Sequence, residues 1–160
     1  MIRPTRTDPA GRAYLDLQNQ ARRQHRGTQD LLTLYALERF LARLAGSPHA
    51  GQFVLKGGML LAALSARRPT ADIDLMAIDL TNDEQIVLNR VAEIAALPSQ
   101  SDDGVRFDPS TAKARTIREA DLYTGIRISM NAQPGSTDTV SWIWSEMGRG
   151  CALTWDDVLA

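Results

Sequence analysis

A chain of 160 residues with 44% hydrophobic content is long enough for one packed core and too short for two full domains. Its formal charge of −1 supplies no global field to gather nucleic acid, so any such binding has to use a local patch. The single cysteine, Cys151, excludes an internal disulfide, two histidines exclude a Cys/His zinc cage, and no window has the apolar length of a signal peptide or membrane span; together these predict a cytoplasmic protein with no membrane partner.

Leu15, Leu17 and Ala21 predict a short first helix, followed by the basic run Arg22, Arg23, His25, Arg26 and a stop at Gly27. Leu31, Leu34, Leu37, Leu41 and Leu44 recur at helical steps, which predicts a helix over 28–44 with Thr28 as its cap and Glu38 and Arg43 on the solvent side. After the turn residues of "GSPHAG", "QFVLK" reads as a short strand. "MLLAALSA" reads as a helix that starts at the glycines and ends at "RRPT". "DIDLMAI" alternates as a strand, with Asp72, Asp74 and Met76 on one face and Ile73, Leu75 and Ala77 on the other. Thr81 or Asn82 is positioned to cap a helix through Ala96, striped by Ile86, Val87, Val91, Ile94 and Leu97. A loop, "LPSQSDDG", leads to three short strands of a meander, "GVRFD", "ARTIREA" and "YTGIRISMNA". The remainder, "QPGSTDTVSWIWSEMGRG", shows turn residues and then a tryptophan-bearing segment without a clear strand pattern.

The chemistry concentrates between Lys56 and Asp74. Two aspartates at alternate strand positions project to one side with Cα atoms about 6.5 to 7 Å apart. Burying such a pair is costly because the charges repel and lose water. A divalent cation relieves that cost, and magnesium takes a few carboxylate oxygens together with phosphate and water. Upstream, a strand that runs into Gly57-Gly58 and a helix start exposes backbone amides to an anion. This is not the P-loop pattern, since Lys56 precedes the glycines. Each feature has an ordinary alternative: an exposed strand face for the aspartates, a tight turn for the glycines, a cross-strand ion pair for Arg127, a turn role for Asp138, and a solvated face for the basic run. Trp142, Trp144 and Trp155 read as core. The combination of the glycine pair, then Thr70, then Asp72-x-Asp74 is more specific than its parts.

In these residues the chain resembles the polymerase-beta-like nucleotidyltransferases. "FVLKGGMLL" followed by "RPTADIDL" is similar to the AbiEii/AbiGii toxin family, which includes MenT-type toxins, and Tyr123, Gly125 and Arg127 extend the likeness into "DLYTGIRISMNA". The resemblance implies an α+β fold, a mixed, largely antiparallel sheet flanked by helices, in one domain over 1–160. Within it, 1–50 forms a helical part, 51–145 the catalytic sheet, and 146–160 a tail atypical or short for the family. It implies transfer of a nucleotide from a nucleoside triphosphate to RNA, with the 3′ end of transfer RNA as the expected acceptor and a cognate antitoxin as partner. By the same resemblance Asp72 and Asp74 hold Mg2+ or Mn2+. Lys56, Gly57, Gly58, Thr70 and Arg127 serve the triphosphate, and Arg127 also joins the catalytic set. Asp138 is the candidate third carboxylate, with Glu146 as the other acid in the tail. A chain without that carboxylate would be a binding module for nucleotide or antitoxin. A protein or small-molecule acceptor is the remaining alternative, and a glycosyltransferase would leave the glycines unexplained.

Overall fold

The computed structural model describes residues 4–57, 72–119, 123–133 and 138–145. Among these residues three helices and five strands follow one another as α1 (Pro9–Gln24), α2 (Thr28–Ala45), β1 (Phe53–Lys56), β2 (Asp72–Ala77), α3 (Glu84–Ala96), β3 (Arg106–Glu119), β4 (Tyr123–Gln133) and β5 (Asp138–Ser145), with a 3-10 turn over Ala50–Gln52. The expected helix "MLLAALSA" lies outside the described residues. The architecture is mixed α+β: the antiparallel pairs β1 with β2 and β3 with β4 are bridged by β5, which runs parallel to β2 and antiparallel to β4. The resulting sheet has the order β1-β2-β5-β4-β3.

Local chemistry sets the helix ends. Asp8 caps α1 by accepting from the backbone amides of Ala10 at 3.0 Å and Gly11 at 3.2 Å, and the helix closes at His25, whose φ of 53° is left-handed, two residues before the expected Gly27. Thr28 is the first residue of α2 rather than its cap, which is Gly27 and offers no side chain. Asp83, not Thr81 or Asn82, caps α3, accepting from Gln85 at 2.9 Å and Ile86 at 3.0 Å. An aspartate one residue nearer the helix competes better because its carboxylate reaches the second and third amides.

The two helices α2 and α3 cover one face of the sheet. Leu37, Phe40 and Leu44 from α2 meet Val87, Val91 and Ile94 from α3 over Ile73, Leu75, Ile126, Ile128 and Met130, all of them buried. Each such side chain contributes about 1.5 to 3 kcal/mol by leaving water. Phe40 stands edge-on to Phe107, with ring centroids 5.9 Å apart and planes at 81°. Ile86 departs from the expected stripe and is exposed. Because alternate residues of each strand serve this core, the other set of side chains belongs to the opposite face.

Two expectations fail on the β side. "GVRFD" and "ARTIREA" are parts of one strand, β3, whose pairing with β4 shifts register between Asp108 and Lys113. A bulge keeps both halves on β4, so the intervening polar residues bend the strand without ending it. The segment without a clear strand pattern contains β5, which is central in the sheet. At the outer edge, Glu84 accepts from the Thr116 backbone amide at 2.6 Å and also bonds the Thr116 hydroxyl, occupying an amide that an edge strand leaves open.

Arg43 overturns its assignment to the solvent side. Its side chain and that of Asp103 are only 6% and 5% exposed, and they pair at 3.2 Å. Nε donates to the Leu97 carbonyl at 3.2 Å, Nη1 to the Arg39 carbonyl at 3.0 Å, and Nη2 to the Val105 carbonyl at 2.9 Å. Asp103 in turn accepts from Ser99 Oγ at 2.7 Å and the Val105 amide at 2.9 Å. The fork of guanidinium donors thus fixes the loop after α3 to α2, something a lone arginine beside a leucine stripe does not announce.

Candidate active site

The face opposite the helices carries the acidic pair. Sending Ile73, Leu75 and Ala77 into the core commits Asp72 and Asp74 to the other side of β2, where both are half-buried. Met76, expected beside them, is buried. β1 runs antiparallel alongside, with exposed Lys56 opposite Asp74, Leu55 opposite Leu75 and Val54 opposite Met76. Lys56, Asp72 and Asp74 each have interaction partners of their own.

Directly after Lys56 the chain turns at Gly57 with a φ of +70°, a conformation that side chains resist. Space forbids a side chain as well: a Cβ at Gly57 would overlap Oδ2 of Asp74 and stand 2.8 Å from its Cγ and 2.9 Å from its Cβ. The carboxyl group of Asp74 therefore lies against the α-carbon of the first glycine. Gly58 and Thr70 lie outside the described residues.

Across the sheet, backbone register extends the row. Asp74 is opposite Ile143 of β5, Ile143 opposite Arg127 of β4, and Arg127 opposite Arg115 of β3. The parallel row runs from Asp72 through Ser141 and Ser129 to Lys113. With strands about 4.8 Å apart, Arg127 is about 10 Å from β2, close enough for its long side chain to share a ligand with Asp74. Arg127 is exposed. Asp138 takes a different place: it is opposite Ala132, in the alternate set from Ser141 and Ile143, so the register does not bring it to the row of Asp72 or Asp74. Glu146, Cys151 and Trp155 lie outside the described residues, as do the side chains of Trp142 and Trp144.

Lys113 and Arg115, which the sequence pattern does not single out, lie beside Arg127 in the register. In "KARTI" two cations alternate on a strand, but their position beside Arg127 depends on strand pairing. The basic run Arg22, Arg23, His25 and Arg26 is exposed at the end of α1. His49 pairs with Glu93 at 3.2 Å and contacts Arg90, as a surface cluster.

A cleft of about 750 Å3 lies elsewhere, between the start of α1, the 97–105 loop and the start of β3, with Asp8, Arg43, Asp103 and Gln133 in its wall. It contains neither Asp72 nor Asp74. Of its charged lining, the Arg43–Asp103 pair is committed to holding the loop, while Asp102 and Arg106 are exposed.

Among the described residues no group of three or more His, Cys, Asp or Glu could hold a metal ion. The two aspartates, as hard oxygen donors, do suit a magnesium-type ion completed by phosphate and water. No helix among the described residues is long and apolar enough to cross a membrane.

The strand that carries Asp72 and Asp74 thus stands against the glycine bend at Gly57. The family of nucleotidyl transferase AbiEii toxins of type IV toxin–antitoxin systems matches residues 39–141, which spans β1, β2 and Arg127, and the chain belongs to that family. Membership makes it a nucleotidyltransferase toxin and implies a nucleotide substrate and an antitoxin partner. No curated protein matches the chain.

Proposed function

We propose that this single-domain protein transfers a nucleotidyl group from a nucleoside triphosphate to an RNA acceptor, with the 3′ end of transfer RNA as the specific target. The observation that carries this is the contact between the Asp74 carboxyl group and the α-carbon of Gly57, which joins the acidic strand to the glycine bend in one place. Asp72 and Asp74 would hold Mg2+ or Mn2+, which when bound neutralises charge on the triphosphate and acidifies the attacking hydroxyl.

The chain's own residues do the rest. Gly57, lacking a Cβ, lets the Asp74 carboxyl group reach the bend at which the triphosphate would bind; Gly58 follows it in sequence, and Thr70 stands two residues before Asp72. Lys56 and Arg127 balance the charge that collects on the departing pyrophosphate. The acceptor oxygen attacks the α-phosphorus, the bond from that phosphorus to pyrophosphate breaks, and the acceptor proton passes to water.

The test is transfer from each of the four α-labelled triphosphates to purified RNA. Asp72→Ala and Asp74→Ala should each abolish labelled product, and wild-type turnover in either variant would refute the assignment. Label that follows protein or a small molecule instead of RNA would correct the acceptor.

One observation favours a second reading. The register partner of Asp72 on β5 is Ser141, not an acid, and Asp138 belongs to the other set. A site with two carboxylates is consistent with a module that binds nucleotide, or docks the antitoxin, without turnover. Calorimetry with Mg2+ and each triphosphate separates the two: binding without product supports the module.

A further inference from the structure

On the face of the sheet that carries Asp72 and Asp74, exposed cations gather where a sheet optimised for stability alone would alternate charge. Arg115 lies directly opposite Arg127, and Lys113, opposite Ser129, is one diagonal step away. All three are exposed, and the ion pairs among the described residues involve none of them. Like charges directly across a strand pair, with Cβ atoms about 4.5 to 5.5 Å apart, destabilise a sheet. An anion laid between them turns that repulsion into binding.

Distance separates two anions. Arg127 is two strand spacings from the aspartates, whereas Lys113 and Arg115 on β3 are three away, about 14 Å. A triphosphate gathered at Gly57 and Asp74 uses the nearer arginine, which leaves the β3 pair to a second, longer anion. In the other direction the sheet formed by the described residues ends after β1, a single strand beyond β2, so a polymer whose end reaches the aspartates finds its sheet surface over β4 and β3. The residues along that path are polar: Ser129 and Asn131 are half-buried and Gln133 exposed. Ile86, the exposed large apolar side chain among the described residues, is on α3 and away from this face. A protein partner would want an apolar centre, and a phosphodiester backbone does not.

We infer that Lys113 and Arg115 form a track for the phosphodiester backbone of a single-stranded RNA end, delivering its terminal hydroxyl past Arg127 to Asp72 and Asp74. The inference rests on the proposed transferase for the direction of the strand. Lys113 and Arg115 are positioning residues: they hold the acceptor and do not touch the reacting atoms.

The probe is a fluorescent single-stranded RNA of 12 nucleotides with a free 3′ hydroxyl, followed by anisotropy in Mg2+ without triphosphate from 50 to 300 mM salt. Each phosphate contact on a single strand contributes about 0.7 to the slope of log K against log salt, so the Lys113→Ala/Arg115→Ala double variant should lose about 1.4. Extrapolated from 1 M, that is roughly a tenfold loss of affinity at 0.15 M salt. Arg115→Lys should retain most of the slope, and Arg12→Ala, an exposed arginine of α1, should leave it unchanged.

Two readouts exclude a structural role: the double variant should melt no lower than wild type, because a repulsion has been removed, and should bind labelled triphosphate as wild type does. An unchanged salt slope overturns the inference. So does weakened triphosphate binding with RNA binding intact, which would move the pair to the nucleotide site, or selective loss of binding to polyglutamate, which would make the surface a protein dock. If the predicted slope change is found but no RNA is ever labelled, the track stands and the transferase reading falls.

Discussion

Gly57→Ala tests the joint between the glycine bend and the acidic strand without touching an ionisable group. At a φ of +70° the new side chain costs about 1 to 2 kcal/mol in backbone conformation. Its methyl group would also overlap Oδ2 of Asp74 and press on Cγ at 2.8 Å, which forces the carboxyl group out of its rotamer at roughly 0.5 to 1.5 kcal/mol more. The sum, about 1.5 to 3.5 kcal/mol, corresponds in a chain of this length to a fall in melting temperature of roughly 3 to 14 °C.

Urea unfolding of Gly57→Ala, Asp74→Ala and the double variant divides that sum into its parts. Once Asp74 is shortened, Oδ2 and Cγ are gone and only the β-carbon at 2.9 Å remains, so the glycine change should then cost mainly the backbone share. A coupling of about 1 kcal/mol is expected, well above the roughly 0.3 to 0.5 kcal/mol scatter of independent sites. Additive costs would mean that the carboxyl group does not lie on Gly57, and the proposed site would lose its carrying contact. Transfer activity should fall further than stability does, since a displacement of about 1 Å at a reacting group can cost about a hundredfold.

Arg43→Ala should lower stability by about 3 to 5 kcal/mol in chemical denaturation, because it leaves Asp103, 5% exposed at its side chain, without its cation; a loss under about 1 kcal/mol would show the strap to be dispensable. Tyr35 donates its hydroxyl to the Asp103 carbonyl at 2.9 Å. Burial raises its pKa above the ordinary 10.0 against the opposing pull of Arg39, and the charges of Asp103 and Glu38 add to the rise. The folded state thus holds the phenolic proton more tightly than the unfolded chain does. That stability is present below pH 10 and is lost as pH climbs through the raised value. The melting-temperature gap between wild type and Tyr35→Phe should therefore narrow above pH 10, and a gap constant from pH 8 to 11 would contradict the assignment.

Local pattern determined much of this protein from the sequence alone. The leucine spacing of α2, the alternation of "DIDLMAI" and the bounded run "QFVLK" are short-range signals, because helix and strand periods are set within a few residues. Those signals named Asp72, Asp74 and Gly57 before any fold existed. Tertiary structure decided what depends on distant partners. The strand β5 was hidden in "DTVSWIWS", although Val140, Trp142 and Trp144 alternate with Thr139, Ser141 and Ile143, because nothing local says that two strands will flank it. Arg43 is buried since residues 97–105 return to it, and Asp138 misses the acidic row by register, where one step exchanges the faces. Lys113, Arg115 and Arg127 become neighbours only through β3 and β4 pairing, so a chain of net charge −1 carries a local basic surface that its composition conceals. Periodicity is written residue by residue, whereas register and burial are agreed between segments far apart in the chain.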